Sequence, residues 1–140
     1  MNKTERFFNS LKSSRVALIG TGVSHTELIK LFLSKGIDVT ILDRKTKEQF
    51  DPELYSSLEG KGAHFVLGDG YLDSLTDYDV VYRTPGMYYN NPKLAEARAA
   101  GVIITSEMES FFELCPCKIY AVTGSDGKTT TTTVISEFLK

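Results

Sequence analysis

Short apolar runs alternate with segments of helical period along most of this chain, and each run stops at a turn-forming residue. Val16-Ala17-Leu18-Ile19 ends at Gly20, and Val39-Thr40-Ile41-Leu42 closes at Asp43. Between them Leu28, Ile29, Leu31 and Phe32 recur at helical spacing over residues 26–34, and Gly36 stands where a helix C-terminal cap belongs. A compact apolar run of this kind reads as a buried strand. Strand, helix and strand within ~30 residues make a βαβ unit.

The alternation continues with apolar stretches at residues 63–67, 79–82 and 102–105. Asp51-Pro52 and Asn91-Pro92 each set a capping side chain before a proline at the first helical position. Helices are therefore expected from Pro52, over residues 92–100 up to Gly101, and over 108–114. A short amphipathic helix over residues 4–13 presents Phe7, Phe8 and Leu11 to the body that follows. The pattern is that of an α/β fold, a Rossmann-like doubly wound domain around a mainly parallel sheet. Residues 119–122 form one more apolar run, followed by a glycine-rich turn and by Val134, Ile135, Phe138 and Leu139 at helical spacing. The expected division is a first domain over 1–117 and, over 118–140, the truncated opening of a second one: strand, loop and helix start.

Charge and composition narrow the function. Sixteen Lys and Arg against eighteen Asp and Glu leave a net charge of −2, which disfavours broad binding to nucleic acid but permits a local site for a phosphorylated small molecule. No run approaches the ~18 consecutive apolar residues of a membrane helix, so no membrane insertion is expected. The charged N-terminus does not read as a secretory signal. Cys115 and Cys117 flank Pro116 at a spacing that matches no zinc motif, and His25 and His64 are too few and too far apart for a four-ligand metal site. Two reduced, partly buried thiols at a strand entrance fit a cytoplasmic protein. No obligate protein partner is expected.

Gly20-Thr21-Gly22 lies between a strand and a helix, where glycine permits a tight turn and lets backbone N–H groups approach a phosphate. Asp43 supplies the acidic residue expected ~20 positions on. His25 replaces the third glycine of a dinucleotide-binding turn, where it is expected to crowd the helix–strand packing. A phosphate-binding turn, a dinucleotide site and a merely structural turn all remain readings of this segment. Asp43 can accept hydrogen bonds from a ribose or a base, and Arg44 can stack on a planar ring; a solvated charge cluster is the alternative. Thr84-Pro85-Gly86 ends the fourth strand on the same carboxyl edge, along which open α/β sheets bind ligands. Gly124-Ser125-Asp126-Gly127-Lys128-Thr129-Thr130 lacks the leading glycine of a full Walker A motif, since position 122 is Val. It retains G-x-x-G-K-T between an apolar run and a helix, with backbone amides to cradle phosphates, Lys128 to reach the terminal phosphoryl group and Thr129 to ligate magnesium.

Together these residues resemble the Mur ligase family. The resemblance is carried by residues 16–24 (VALIGTGVS), 83–87 (RTPGM), 106–112 (SEMESFF) and 121–130 (AVTGSDGKTT). Relatives that add L-alanine usually carry His where Asp126 stands, and those adding later residues have differently built N-terminal domains. The resemblance thus points to the branch that adds D-glutamate to UDP-N-acetylmuramoyl-L-alanine in peptidoglycan synthesis. It implies that Thr21, Gly22, Val23 and Ser24 lie along the diphosphate, that Asp43 and Arg44 contact uracil, and that Thr84, Pro85 and Gly86 line the sugar–phosphate side. It further implies ATP and Mg2+ as cofactors, with Lys128 on the ATP phosphates, Thr129 on the metal, and the substrate carboxylate activated as an acyl phosphate. Asp126 departs from the family's usual Asn and adds negative charge beside the triphosphate. The resemblance covers only the N-terminal part of such a ligase, so this chain is expected to bind the UDP moiety and to be catalytically inactive by itself. A regulatory dinucleotide-binding module and a small stand-alone P-loop NTPase are the alternative classes.

Overall fold

The computed structural model describes residues 1–140, the Ser24 side chain excepted. Its elements follow in the order α1 (Lys3–Lys12), β1 (Val16–Ile19), α2 (Val23–Ser34), β2 (Val39–Asp43), α3 (Pro52–Glu59), β3 (His64–Leu67), β4 (Val80–Tyr82), α4 (Pro92–Ala99), β5 (Ile103–Thr105), α5 (Glu107–Leu114) and α6 (Lys128–Phe138). The five strands form one sheet in the order β3-β2-β1-β4-β5. Every pairing is parallel, with Val16 opposite both Val39 and Val80 and Leu18 opposite both Ile41 and Tyr82. This is the doubly wound α/β architecture, and strand order reverses between β1 and β4.

Strand alternation divides the core. Leu18, Ile41 and Tyr82 point to one face and pack with Leu11 of α1, Ile29 and Phe32 of α2 and Leu58 of α3. Ala17, Ile19, Leu42 and Val81 point to the other, against Leu75 and the Leu94 and Ala97 of α4. Both faces of β1 are buried, which is why its run has no polar member. The Tyr82 hydroxyl shares a 3.0 Å hydrogen bond with Ser110 of α5, and its ring meets Phe32 edge-on at 5.3 Å. Burial pushes the phenol's pKa up, an effect the Ser110 bond opposes.

Helix ends use the side chains that the sequence supplies. Asn2 and Glu5 close a capping box on α1, and Asp51, Asn91 and Ser106 each accept a backbone N–H at the start of α3, α4 and α5. At the end of α2, Gly36 has φ +71°. Its N–H donates to Leu33 and that of Ile37 to Phe32, both at 3.0 Å, which is a Schellman stop. At the start of the sheet, Asp79 accepts the Arg15 backbone N–H at 2.7 Å and the Arg15 guanidinium at 3.1 Å.

Three expectations need correction. The apolar run at 119–122 forms no strand. A strand exists through its ladder, and no neighbouring strand pairs with these residues among those described, so Ile119 and Tyr120 are left exposed. Cys117 is accordingly exposed rather than partly buried at a strand entrance, while Cys115 is half-buried and both are free thiols. Helix α2 starts at Val23 rather than residue 26; its first turn carried no apolar periodicity to mark it, since Val23 is 90% exposed.

Candidate functional site

The turn after β1 is fastened from two sides. Gly20 has φ +79°, and a Cβ added there would meet Cγ2 of Thr84 at 3.1 Å, so the turns following β1 and β4 touch. Asp43, at the end of β2, is 9% exposed. One of its oxygens accepts the Thr21 N–H and the Thr21 hydroxyl, both at 3.3 Å, and the other accepts the Lys45 N–H at 3.0 Å. From α2, Nδ1 of His25 donates to the Ile19 carbonyl at 2.9 Å and to that of Gly20 at 3.3 Å. The carbonyl of Gly20 and the N–H of Thr21 belong to one peptide, held by an imidazole at one end and a carboxylate at the other.

His25 therefore does not crowd the turn as expected of it. At 2% exposure its ring occupies the room between helix and strand and replaces, by two hydrogen bonds, the close contact a glycine would give. The sequence carried no signal for this: with the helix expected from residue 26, His25 stood in the turn rather than inside α2. Gly22 is the N-cap of α2 with no side-chain cap, and a Cβ there would meet nothing within 4 Å. The start of α2, the positive end of the helix dipole, thus carries no side-chain cap. Of the expected phosphate contacts, Thr21, Gly22 and Val23 lie at this helix start; the Ser24 side chain is outside the described residues.

Two cavities flank the turn along the carboxyl edge. On the β2–β3 side, Arg44, Lys45, Thr46, Gln49, Gly68 and Asp69 enclose about 480 Å³, with the Gly68 N–H donating to the carbonyls of Asp43 and Lys45. On the β4–β5 side, His25, Arg83, Pro85, Ser106, Glu107 and Met108 enclose about 500 Å³. Arg83 is held by its N–H to the Thr105 carbonyl at 2.9 Å and stands 3.8 Å from Glu109. Thr84 is half-buried against Gly20, while Pro85 and Gly86 are exposed on the lip. Arg83, Ser106 and Glu107 were not foreseen as site residues, although each lies in a segment that carries the family resemblance. A larger cavity of about 610 Å³, between α1 and α5, is lined by none of the foreseen site residues.

The glycine-rich segment before α6 is not part of this edge. Gly124, Ser125, Asp126, Lys128, Thr129 and Thr130 are exposed, and α6 buries none of its residues. Gly127 caps α6 in the left-handed region at φ +75°, and no side chain caps the helix. Nζ of Lys128 donates to the carbonyls of Gly124 at 2.6 Å and Ser125 at 3.1 Å, folding the lysine over its own loop. No group of three or more His, Cys, Asp or Glu is placed to hold a metal among the described residues. No helix among them is long and apolar enough to cross a membrane.

Residues 14–106 match the family model of the MurD-like Mur ligase N-terminal domain. The chain belongs to this family. It is 48% identical over 138 residues to the UDP-N-acetylmuramoylalanine–D-glutamate ligase of Ruminiclostridium cellulolyticum, covering 99% of this chain and 30% of that protein. It is 46% identical over 138 residues to the enzyme of the same name from Acetivibrio thermocellus, covering 99% of this chain and 29% of the relative. The chain thus spans about 30% of the length of these Mur ligases. Among solved structures, UDP-N-acetylmuramate–alanine ligase MurC from Thermotoga maritima superposes with a TM-score of 0.56 at 26% identity, over 90% of this chain and 29% of that one. Membership in the Mur ligase family assigns the five-stranded sheet to the MurD-type N-terminal domain.

Proposed function

We propose that residues 1–117 bind the UDP moiety of UDP-N-acetylmuramoyl-L-alanine for an ATP-dependent ligase that adds D-glutamate. The observation that carries this reading is the fastened turn at the point where strand order reverses. Open α/β sheets bind ligands in that crevice, and the uncapped start of α2 offers N–H groups to a diphosphate there. Asp43 and Arg44 lie on the side suited to the base, and Thr84, Pro85 and Gly86 on the side of the sugar. Both oxygens of Asp43 already accept bonds from the chain, so its contact with uracil would use the lone pairs that remain. The named activity of the two bacterial relatives supports D-glutamate as the added amino acid.

Residues 118–140 are, on this reading, the opening of an ATP-binding domain. The donor set fits that ligand: an uncapped helix start, a left-handed glycine before it, and a lysine and a threonine at its first two positions. Gly124, Ser125, Asp126, Gly127 and Thr130 would surround the ATP phosphates, Lys128 would neutralise them and Thr129 would hold Mg2+. ATP would supply the phosphoryl group that activates the substrate carboxylate as an acyl phosphate. Free Cys115 and Cys117 support a reducing, cytoplasmic setting. Calorimetric titration of the 140-residue chain with UDP-N-acetylmuramoyl-L-alanine and with NAD tests the assignment. Heat from the first and none from the second is expected; the reverse overturns it in favour of a dinucleotide-binding module.

A further inference from the structure

The ring of His25 is 2% exposed and makes hydrogen bonds through one nitrogen only. Both partners of Nδ1 are carbonyl oxygens, which accept and cannot donate, so Nδ1 carries the hydrogen. In the neutral ring Nε2 is then a bare lone pair. It is fully buried, and nothing among the described residues bonds to it. Buried polar atoms without a partner are rare in native proteins and costly, so this one calls for an explanation. The same ring lines the 500 Å³ cavity with Arg83, Pro85, Ser106, Glu107 and Met108.

Strand order decides which part of a ligand reaches this cavity. Arg44 follows β2, the glycine turn follows β1 and Thr84 follows β4, and the sheet runs β2-β1-β4. A nucleoside diphosphate with its base beside Arg44 and its diphosphate on the turn sends the attached group toward β4 and α5, over the cavity beside His25. A lone pair repels phosphate oxygens but accepts from a hydroxyl or an amide N–H. We infer that His25 is a specificity residue for the group beyond the diphosphate. Its Nε2 accepts a hydrogen bond from a hydroxyl or amide N–H of a sugar or acyl substituent that enters the cavity the ring lines, while Nδ1 holds the turn. The inference rests on reading the crevice as a UDP-sugar site.

The test uses the 140-residue chain labelled with 15N-histidine, titrated with UDP and separately with UDP-N-acetylmuramoyl-L-alanine. Long-range 1H–15N spectra report which ring nitrogen carries hydrogen, and exposed His64 serves as an internal reference. The Nδ1–H form is expected without ligand, and the Nε2 resonance should move on adding the sugar conjugate but not UDP. His25→Asn keeps an N–H where Nδ1 donates and has nothing where Nε2 accepts. It should weaken the conjugate about 3–10-fold more than it weakens UDP, the size of one neutral hydrogen bond. If the variant fails to fold, the wild-type resonance decides alone. An Nε2–H form, or an Nε2 resonance that stays in place when the conjugate saturates the protein, overturns the inference. Failure of both ligands to bind overturns the reading of the crevice itself, and this inference with it.

Discussion

Asp43 reaches from the end of β2 to Thr21 and accepts both its amide and its hydroxyl at 3.3 Å. With His25 on the neighbouring Gly20 carbonyl, the peptide at the head of the crevice is fixed before any ligand arrives. Preorganisation of this kind lowers the ordering cost of binding.

Asp43→Ala removes both acceptors from the turn. Binding of UDP-N-acetylmuramoyl-L-alanine should weaken by about 1–3 kcal/mol, because the donors of Thr21 and Lys45 lose their partner and the turn its fixed shape. Calorimetry on the variant, with a urea melt beside it, gives both numbers. Unchanged binding by a variant of unchanged stability contradicts the role given to the carboxylate.

Gly20→Ala combines two penalties, a non-glycine residue at φ +79° and a Cβ 3.1 Å from Cγ2 of Thr84. The backbone strain alone is worth about 1–3 kcal/mol. Adding Thr84→Ser deletes Cγ2, so the double variant should recover only the contact part of the loss. Full recovery in equilibrium unfolding would show that the backbone conformation carries no cost.

The Arg15 guanidinium and backbone N–H hold the Asp79 carboxyl below the usual aspartate value, the side-chain bond being the larger cause. A carboxyl depressed in the folded state contributes stability above its unfolded pKa of about 3.9, and that contribution is lost as pH falls through the folded value. Asp79→Asn should therefore be less stable than wild type at pH 6. The gap between their urea midpoints should close as pH is lowered below about 4. A gap that persists unchanged into acid assigns the effect to something other than ionisation.

Much of this arrangement was legible in the sequence. Val16-Ala17-Leu18-Ile19 marked β1 residue for residue because a strand buried on both faces tolerates no polar side chain. Asp51-Pro52 and Asn91-Pro92 marked α3 and α4 because caps act locally. Residues 119–122 misled for the opposite reason: strand propensity is local, while a ladder needs a neighbour at the right distance. His25 was read as an obstruction, since a sequence shows a side chain's bulk but not the two carbonyls that receive it. The cavity beside it joins residues from α2, the β4 turn and α5, distant in sequence and adjacent only through the parallel sheet.

The segment from residue 118 onward should be separable from the sheet. No residue of α6 is buried, and the 118–127 stretch contributes nothing to either core cluster. Deleting residues 118–140 should shift the unfolding free energy by no more than about 0.5 kcal/mol, with a single cooperative transition retained. Loss of cooperativity would show that the tail supports the domain. On the reading that this chain is inactive by itself, ATP turnover by the 140-residue chain should be the same as that of Lys128→Ala; a lysine-dependent release of phosphate contradicts this.

The crevice after β1 and β4 is the centre of the account, and backbone amide shifts test it most directly. On titrating the 15N-labelled chain with UDP-N-acetylmuramoyl-L-alanine, the amides of Gly20, Thr21, Gly22 and Val23, of Asp43 and Arg44, and of Thr84 and Gly86 should shift together along one binding curve, and NAD should leave them in place. Shifts confined to residues 124–130, or a saturating response to NAD with none to the UDP-sugar, would contradict it.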